Sequence, residues 1–440
     1  MRRVLGIELR RSAAAGSALI LLVVGVLALY FAEGIGFATG WMQLAMSQRL
    51  YLALLWPLAL AAGAWQASRE NRSKVTELFA STPRPRASRI LPILLAMAAA
   101  VTAAYLAMGL AGGLWIFDTA AYLPVQALVV TAVGVLALIA AVWLGLAIGR
   151  LLPWRATAPV LGIAGLGLLL AIPGATRPHG WLALVFSPIY EMNMPDAFTT
   201  VPGRASAAQA LWLAALAGAA VLLFASGGWR TRVAALLPVA LGAALAITVM
   251  PHQNRYVVGS VDPVAQELVC ADDEPRVCLS RVHSGLLPEL TASARDGLTA
   301  LAKLPGAPTR VHEDTSTYVP DRYAPWRPDL VLLRVATGQD GHLEEPDRVQ
   351  AKVVAGAFTG SPECQNFPRP ADQYAAAYWL IGQEPAAGTF YESDEQASAV
   401  EQWHTLQAMP AAEAQARVAA LREAAVSCAD GASLFAGSAR

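Results

Sequence analysis

Long apolar runs alternate with short polar connections over the first 250 positions of the chain. A helix needs roughly 20 apolar residues to cross about 30 Å of hydrocarbon. The runs that approach this length predict seven membrane-spanning helices: Ala13–Ala32, Leu50–Ala67, Ile90–Ile116, Leu123–Ile148, Ala156–Pro173, Ala207–Ala225 and Val233–Met250. The first run is too long for a secretion signal, so we expect it to stay in the mature protein as an anchor.

After Met250 the apolar runs become shorter, and polar residues are mixed among them. Alternating apolar residues on both sides of "ADDEP" predict a β-hairpin. "LLPELTASARDGLTALAKL" and "AAEAQARVAALREAAVSC" predict helices, and "DLVLLRVAT" predicts a strand. The predicted fold class is an α-helical polytopic membrane bundle of 6 + 1 transmembrane helices, followed by an α+β soluble ectodomain. We assign residues 13–230 to a six-span core, 231–250 to the seventh helix and 251–440 to the ectodomain.

Composition agrees with this division. Hydrophobic residues make up 56% of the chain and charged residues only 15%, a balance too apolar for an ordinary soluble protein. The zero net charge hides two opposite halves, because residues 1–250 hold 17 Lys and Arg against 7 Asp and Glu, whereas residues 251–440 hold 15 against 25. The apolar half is therefore basic and the soluble half acidic.

The positions of the cations predict the orientation. With the N-terminus in the cytoplasm, the cytoplasmic connections hold 14 cations and the outside loops hold three, Arg49, Arg177 and Arg204. The cytoplasmic set is Arg2, Arg3, Arg10, Arg11, Arg69, Arg72, Lys74, Arg84, Arg86, Arg89, Arg150, Arg155, Arg230 and Arg232. The positive-inside bias favours this orientation, and seven spans then carry residues 251–440 to the outside.

All four cysteines lie in that outside segment. An even number in one soluble region favours two disulfides on an oxidising side of the membrane, with four buried free thiols as the alternative. The predicted hairpin would bring Cys270 close to Cys278, which leaves Cys364 to pair with Cys428. Three pairings are possible in principle, and this is the preferred one.

The predicted spans contain many glycines, which either let helices approach closely or reflect overall composition. They are Gly109, Gly112, Gly113, Gly145, Gly149, Gly162, Gly165 and Gly167. We expect no acid or base within a span, and this argues against a proton-driven secondary transporter, which usually needs such groups.

The stretch "SKVTELFASTPRPRASR" is charged, although it lies between two apolar runs. It predicts a short helix from Val75 to Ala80 that two prolines end. Val75, Leu78 and Phe79 share one face of that helix. Such a helix either docks into a groove on a soluble partner or rests on anionic lipid headgroups.

The longer segment "RENRSKVTELFASTPRPRASR" resembles the coupling-helix region of ABC-2 type transporter permeases, in which cations after the second span lead into a similar segment. The matching residues here are Glu77, Leu78, Phe79, Ala80, Ser81, Thr82 and Pro83. Residues 1–12, "MRRVLGIELRRS", are similar to the cytoplasmic interfacial helix of that family. Residues 174–204 are similar in position to its extracellular hairpin, so the resemblance covers about the first 230 residues.

The resemblance implies a coupling helix at about 69–82 that presses into an ABC ATPase subunit. The implied contact residues are Arg72, Val75, Glu77, Leu78, Phe79, Ser81, Thr82 and Pro83. It also implies a second permease copy or paralogue, a bacterial cell membrane, and ATP with magnesium bound on the partner. We expect no cofactor in this chain and no nucleic-acid partner. The chain departs from the family by its seventh span and its ectodomain, for which no function carries over.

Catalytic motifs are missing from the sequence. No lysine follows a phosphate-binding glycine loop, and no G-x-S-x-G is present. His312 and Glu313 begin an H-E-x-x-H pattern, but Ser316 occupies the second histidine position. We therefore expect neither catalysis nor a metal site. The other histidines are isolated, and most are expected at the surface: His179, His252, His283, His342 and His404.

Three aromatic residues, Tyr318, Tyr323 and Trp326, lie in the proline-containing stretch "TYVPDRYAPW". They would form either a contact surface or, as we favour, an anchor that holds a long loop on the core.

For the whole chain the leading hypothesis is a permease subunit of an ABC-2 type exporter. The alternative is a membrane-anchored sensor or immunity-type protein whose ectodomain binds a ligand. A membrane peptidase with a changed metal site is the third hypothesis.

Overall fold

The computed structural model describes residues 13–32, 35–69, 86–189, 196–252, 260–318, 321–364, 367–388, 393–429 and 433–435. The side chains of 86–89 are outside this description. The chain forms two compact units. The first contains Met1–Phe117 and Leu123–Val261, and the second contains Asp118–Tyr122 and Asp262–Arg440.

The first unit is built almost entirely from helices. In chain order they are α1 (Ala14–Phe31), α2 (Trp41–Leu50), α3 (Leu52–Ala67), α4 (Arg86–Ile116), α5 (Val125–Leu151), α6 (Thr157–Ala175), α7 (Gly180–Phe186), α8 (Gly203–Ala225), α9 (Trp229–Ala234) and α10 (Leu236–Val249). A short 3-10 helix, Gly36–Thr39, precedes α2. Strands β1 (Thr199–Thr200) and β2 (Ser260–Val261) pair in antiparallel orientation.

Six helical segments of the described chain are long and apolar enough to cross a membrane, and all six were predicted as spans from the sequence. Helices α2 and α3 meet at a 50° bend and would make a seventh if they form one span. The sequence prediction misplaced residues 41–49, which it assigned to an outside loop and which form most of α2. The span predicted at 231–250 coincides with most of α9 and with α10.

Contacts within the first unit show which helix ends lie together. A guanidinium nitrogen of Arg150 donates to the carbonyl of Phe224 at 2.6 Å, so the C-terminal ends of α5 and α8 are adjacent. Gly149 lies against the backbone of Ala64, and this contact brings the C-terminal end of α3 to the same place. At the opposite end, Gln43 of α2 donates to the carbonyl of Asp196, just before β1.

Helices α3 and α5 approach so closely that their backbones touch. A Cβ atom added at Gly63 would meet the carbonyl oxygen of Val142, and one added at Gly145 would meet that of Leu60. Glycine thus permits backbone contact that any side chain would prevent. Gly167 of α6, by contrast, has no neighbour within 4 Å of its Cβ position. Close packing therefore accounts for some of the glycines and not for others.

Gly145→Val is expected to destabilise the protein by about 2 kcal/mol, because the added side chain forces α3 and α5 apart. The measurement is thermal unfolding of the purified full-length chain in detergent. Gly167→Val is the matched control, since it makes the same change within a helix at an open position. Equal losses of stability in the two variants would show that the contact between α3 and α5 is not the cause.

The second unit combines helices with a four-stranded sheet. Its helices are α11 (Pro263–Gln266), α12 (Leu287–Leu301), α13 (Val349–Gly356), α14 (Pro370–Ile381), α15 (Ser393–Ala408) and α16 (Ala411–Val426), with 3-10 turns at Arg281–Leu286 and Pro346–Arg348. Its strands are β3 (Leu268–Cys270), β4 (Val277–Ser280), β5 (Arg310–Glu313), β6 (Thr317–Tyr318), β7 (Asp321–Arg322) and β8 (Leu330–Leu333).

The sheet has the order β3-β4-β5-β8, in which β3 is antiparallel to β4 and the other neighbours are parallel. Strands β6 and β7 form a separate hairpin. Apolar side chains of α12, α13, α14 and α16 cover the sheet, among them Leu298, Val353, Ala376 and Val418. The mixed helix and sheet content expected after residue 251 is therefore present, and the predicted hairpin, strand and two helices form β3–β4, β8, α12 and α16.

Two disulfides join Cys270 to Cys278 and Cys364 to Cys428, which confirms the preferred pairing. The antiparallel register of β3 and β4 sets Cys270 directly opposite Cys278. The second bond links the segment after α13 to the residues just after α16. The alternative of four free thiols is wrong.

A buried arginine holds the last helix on this core. Arg422 of α16 is 6% exposed, and its guanidinium donates to the carbonyls of Ala357 at 2.8 Å, Gly306 at 3.0 Å and Pro328 at 2.8 Å. Burial lowers the pKa of Arg422. Because the three carbonyls belong to three separate connections, one side chain satisfies the polar groups of distant parts of the chain.

Candidate functional site

The residues predicted to contact an ATPase lie outside the described part of the chain, so their role stays a prediction. They are Arg72, Val75, Glu77, Leu78, Phe79, Ser81, Thr82 and Pro83. The described helices on either side are α3, which ends at Ala67, and α4, which begins at Arg86. The segment therefore follows directly from α3, the helix that begins at the bend.

A buried charge lies at that bend. Arg49 is in the last turn of α2, three residues before α3 begins at Leu52, and its side chain is 1% exposed. Its Nη2 donates to Oε1 of Gln209 in α8 at 2.9 Å. The prediction that Arg49 lies in an outside loop is wrong, and an apolar helical unit holds a base in its interior. Burying a guanidinium costs several kcal/mol unless acceptors surround it, as a rough guide.

The hydrogen bonds continue from Gln209 to a third helix. Its Nε2 donates to the carbonyl of Leu184 in α7 at 2.9 Å, so one amide accepts from α2 and donates to α7. Gln48, which precedes Arg49 in α2, donates to the carbonyl of Tyr105 in α4 at 3.1 Å. We call Gln48, Arg49 and Gln209 the bend cluster. The cluster joins the bend to α4, α7 and α8.

Helix α7 depends on α8 for the hydrogen bonds at its end. The last carbonyls of a helix have no partner within it, and in apolar surroundings each needs a donor. Gln209 supplies a donor to Leu184, and Nε1 of Trp212, one turn further along α8, supplies one to Phe186 at 3.3 Å. The rings of Phe186 and Trp212 also pack edge to face with centroids 5.1 Å apart. Two side chains of α8 thus fix the position of this short helix.

The bend cluster is suited to positioning helices and not to bond chemistry, since a guanidinium and two amides supply hydrogen bonds but no nucleophile. A change of the angle between α2 and α3 would move Arg49 relative to Gln209. Because Gln209 also donates to Leu184, the movement would be passed on to α7. Helix α3 extends from the bend to the segment that carries the predicted coupling residues. Within the described residues, α3, the bend cluster and α7 form one contiguous series of contacts.

The sequence contained a signal for α2 that the prediction missed. Met42, Ala45, Met46 and Arg49 are buried and follow one another at i, i+3, i+4 and i+7, which is the spacing of one helix face. The polar residues of "WMQLAMSQRL" lowered the hydropathy of the window, and the arginine was read as a loop residue. Periodicity was the better guide at this point than average hydropathy.

In the second unit, one histidine is paired with an acid in the core. His283 and Glu313 are 4% and 2% exposed, and Nδ1 of the histidine lies 2.6 Å from Oε1 of the acid. The other carboxylate oxygen accepts from the backbone nitrogen of Ser280 at 2.8 Å. The expectation of isolated surface histidines is therefore wrong for His283. Glu313, considered above as half of a zinc motif, instead has both oxygens engaged within the core.

The aromatic stretch is more exposed than expected. Tyr318 at the turn of the β6–β7 hairpin is 70% exposed, and Tyr323 just after it is 54% exposed. Trp326 is half-buried. The favoured prediction that these residues anchor the loop on the core is wrong for both tyrosines, because β6 and β7 form a hairpin of their own outside the main sheet.

No family model, no curated protein and no solved structure matches this chain. The resemblance to ABC-2 permeases therefore rests on the segment around Glu77 and on the order of the apolar runs. The geometry of the bend cluster comes from this chain alone.

Proposed function

We propose that the chain is the membrane-spanning permease subunit of an ATP-driven ABC-2 type exporter, with the ATPase on a separate chain. The observation that carries the proposal is the charged, proline-ended segment at 69–83, which continues directly from the apolar helix α3. In this proposal ATP-driven closure of the partner pushes on that segment, and α3 conveys the movement to the bend cluster.

The positions of the helix ends support the proposed orientation. The contacts of Gly149 with Ala64 and of Arg150 with Phe224 bring three helix ends together, and the arginine-rich connections follow from these ends. The disulfide-bonded residues follow β2, which pairs with β1 at the opposite end. Cations at one end and disulfides after the other agree with a cytoplasmic and an oxidising side.

A hydrogen bond within the second unit gives independent support. Tyr122, in the connection between α4 and α5, donates its hydroxyl to Oδ2 of Asp262 at 2.8 Å. Four proposed spans separate these two residues along the chain. Because an even number of crossings returns the chain to the side of the membrane where it started, both residues would lie on the same side. Burial, together with this hydrogen bond, raises the pKa of Tyr122 to about 12, so the phenol remains a donor at neutral pH.

The experiment that tests the proposal is purification of the full chain from its native host, followed by identification of the chains that co-purify and by ATPase assay. We expect an ATPase to co-purify with the chain in a stable complex. Leu78→Asp should reduce recovery of the ATPase at least tenfold, because an acid would enter an apolar contact. Glu77→Ala should leave some binding and abolish the ATPase response to the permease.

Thr76→Ala in the same segment is the control, since this residue is not among the predicted contacts. All variants must reach wild-type abundance in the membrane for the comparison to hold. Purification without any ATPase, or together with a histidine kinase, would contradict the proposal and favour a ligand-binding sensor.

A further inference from the structure

Tryptophan and arginine are concentrated where α5 and α8 end. The connection after α5 contains Trp154 followed by Arg155, and the connection after α8 contains Trp229 followed by Arg230. The hydrogen bond from Arg150 to the carbonyl at the end of α8 makes the two connections neighbours. The same Trp-Arg pair thus occurs twice at one end of the helical unit. We call Trp154, Arg155, Trp229, Arg230 and Arg232 the Trp-Arg belt.

The belt is exposed and carries only positive charge. Trp154 and Trp229 are 70% and 71% exposed, and the three arginines are exposed as well. Neither residues 150–156 nor residues 226–235 contain an acid. The guanidinium of Arg230 lies 5.9 Å from the ring centre of Trp229, so one aromatic face meets a cation. Within the described residues none of the three arginines forms an ion pair, so their charge is open to an anionic partner.

The apolar side chains beside the belt indicate what that partner is. Val233, Leu236 and Leu237 follow it on α9 and α10 and are 54%, 65% and 63% exposed. Tryptophan is enriched where a membrane surface meets water, with its ring at the level of the headgroups. After α5 the chain presents exposed Leu152, then Trp154 and then Arg155, which matches the order of acyl chain, interface and phosphate in a lipid.

We propose that the Trp-Arg belt binds the headgroups of anionic phospholipids and selects them over zwitterionic ones. The phosphate and net charge of the lipid meet Arg155, Arg230 and Arg232, while the indole rings occupy the interface. This inference rests on the proposed placement of the helices in a membrane and not on the pairing with an ATPase.

The test uses the full-length protein, purified without any partner and given equal amounts of phosphatidylglycerol and phosphatidylcholine in detergent. Native mass spectrometry then measures the ratio of the two lipids bound. We expect phosphatidylglycerol to dominate on the wild-type protein. Each arginine near an anionic surface raises the binding constant roughly fivefold. The double variant Arg230→Gln/Arg232→Gln should therefore lower the ratio of bound phosphatidylglycerol to phosphatidylcholine by about tenfold or more.

The matched control is Arg177→Gln/Arg204→Gln, which removes two exposed arginines from the opposite end and should keep the wild-type ratio. Excess inorganic phosphate should not displace the lipid. Equal retention of the two lipids by the wild-type protein, or equal effects of the two double variants, would overturn the proposal. Displacement by phosphate would also overturn it, since the belt would then bind a free anion. None of these outcomes depends on whether an ATPase partner exists.

Discussion

Gln209→Leu is expected to destabilise the full-length protein by about 3 kcal/mol, the size of effect expected when a buried charged donor and a buried carbonyl each lose a hydrogen bond. The substitution removes two hydrogen bonds at once. Arg49 loses the acceptor at 2.9 Å in an interior where its charge is costly, and the carbonyl of Leu184 loses its donor. The measurement is thermal unfolding in detergent, followed by intrinsic tryptophan fluorescence, since Trp212 lies one turn away.

Two further variants separate the contributions. Gln209→Glu keeps an acceptor for Arg49 but removes the donor to α7, so we expect an intermediate loss. Gln126→Leu is the control, because the side-chain oxygen of this half-buried glutamine of α5 accepts no hydrogen bond within the described part of the chain. If Gln209→Leu and Gln126→Leu have the same stability, the bend cluster contributes nothing and its assignment as a functional site is wrong.

Arg422→Met is expected to cost about 3 kcal/mol in the second unit, because three carbonyls, one in a buried and two in part-buried hydrogen bonds, lose a charged donor at once. Methionine keeps most of the apolar part of the arginine side chain, so the lost stability comes mainly from the hydrogen bonds and less from the packing. We expect α16 to detach more readily from the sheet. The measurement is hydrogen exchange of the full-length protein, in which the amides of α16 should lose protection before those of α12.

Arg417→Met on the same helix is the matched control. Arg417 forms a partly exposed ion pair with Glu413 one turn away, and such a pair is worth less than about 1 kcal/mol. A faster exchange that is confined to Arg422→Met supports the role of the three carbonyls. Equal protection in the two variants would mean that apolar packing and the Cys364–Cys428 bond hold α16 without help from Arg422.

Local patterns predicted the elements whose determinants are themselves local. The apolar runs marked the spans because length and hydropathy are read within one window. The hairpin at β3–β4 followed from alternation on both sides of a turn, and the pairing of Cys270 with Cys278 followed from that hairpin. In each case the residues that decide the structure are neighbours in the sequence.

Partners that are distant in the sequence were missed. Arg49 is buried because Gln209, 160 positions away, accepts from it, and His283 in a 3-10 turn is buried because Glu313 of strand β5 does the same. Charge by itself favours exposure, and only a long-range acceptor reverses that preference. Tyr318 is the opposite case, because its aromatic ring was predicted to pack on the core and is 70% exposed.

Five residues between α4 and α5 belong to the second unit, and this affects how the protein is made. Thr119 is buried there, with its carbonyl oxygen where a side chain at Gly285 would lie. During translation these residues emerge about 140 residues before Asp262, where the remainder of the unit begins, so the unit cannot complete its fold until that remainder has been synthesised. An expression fragment that starts at Asp262 would lack the contact of Thr119 with Gly285 and the hydrogen bond of Tyr122 to Asp262, whereas one that joins residues 118–122 through a linker would keep both.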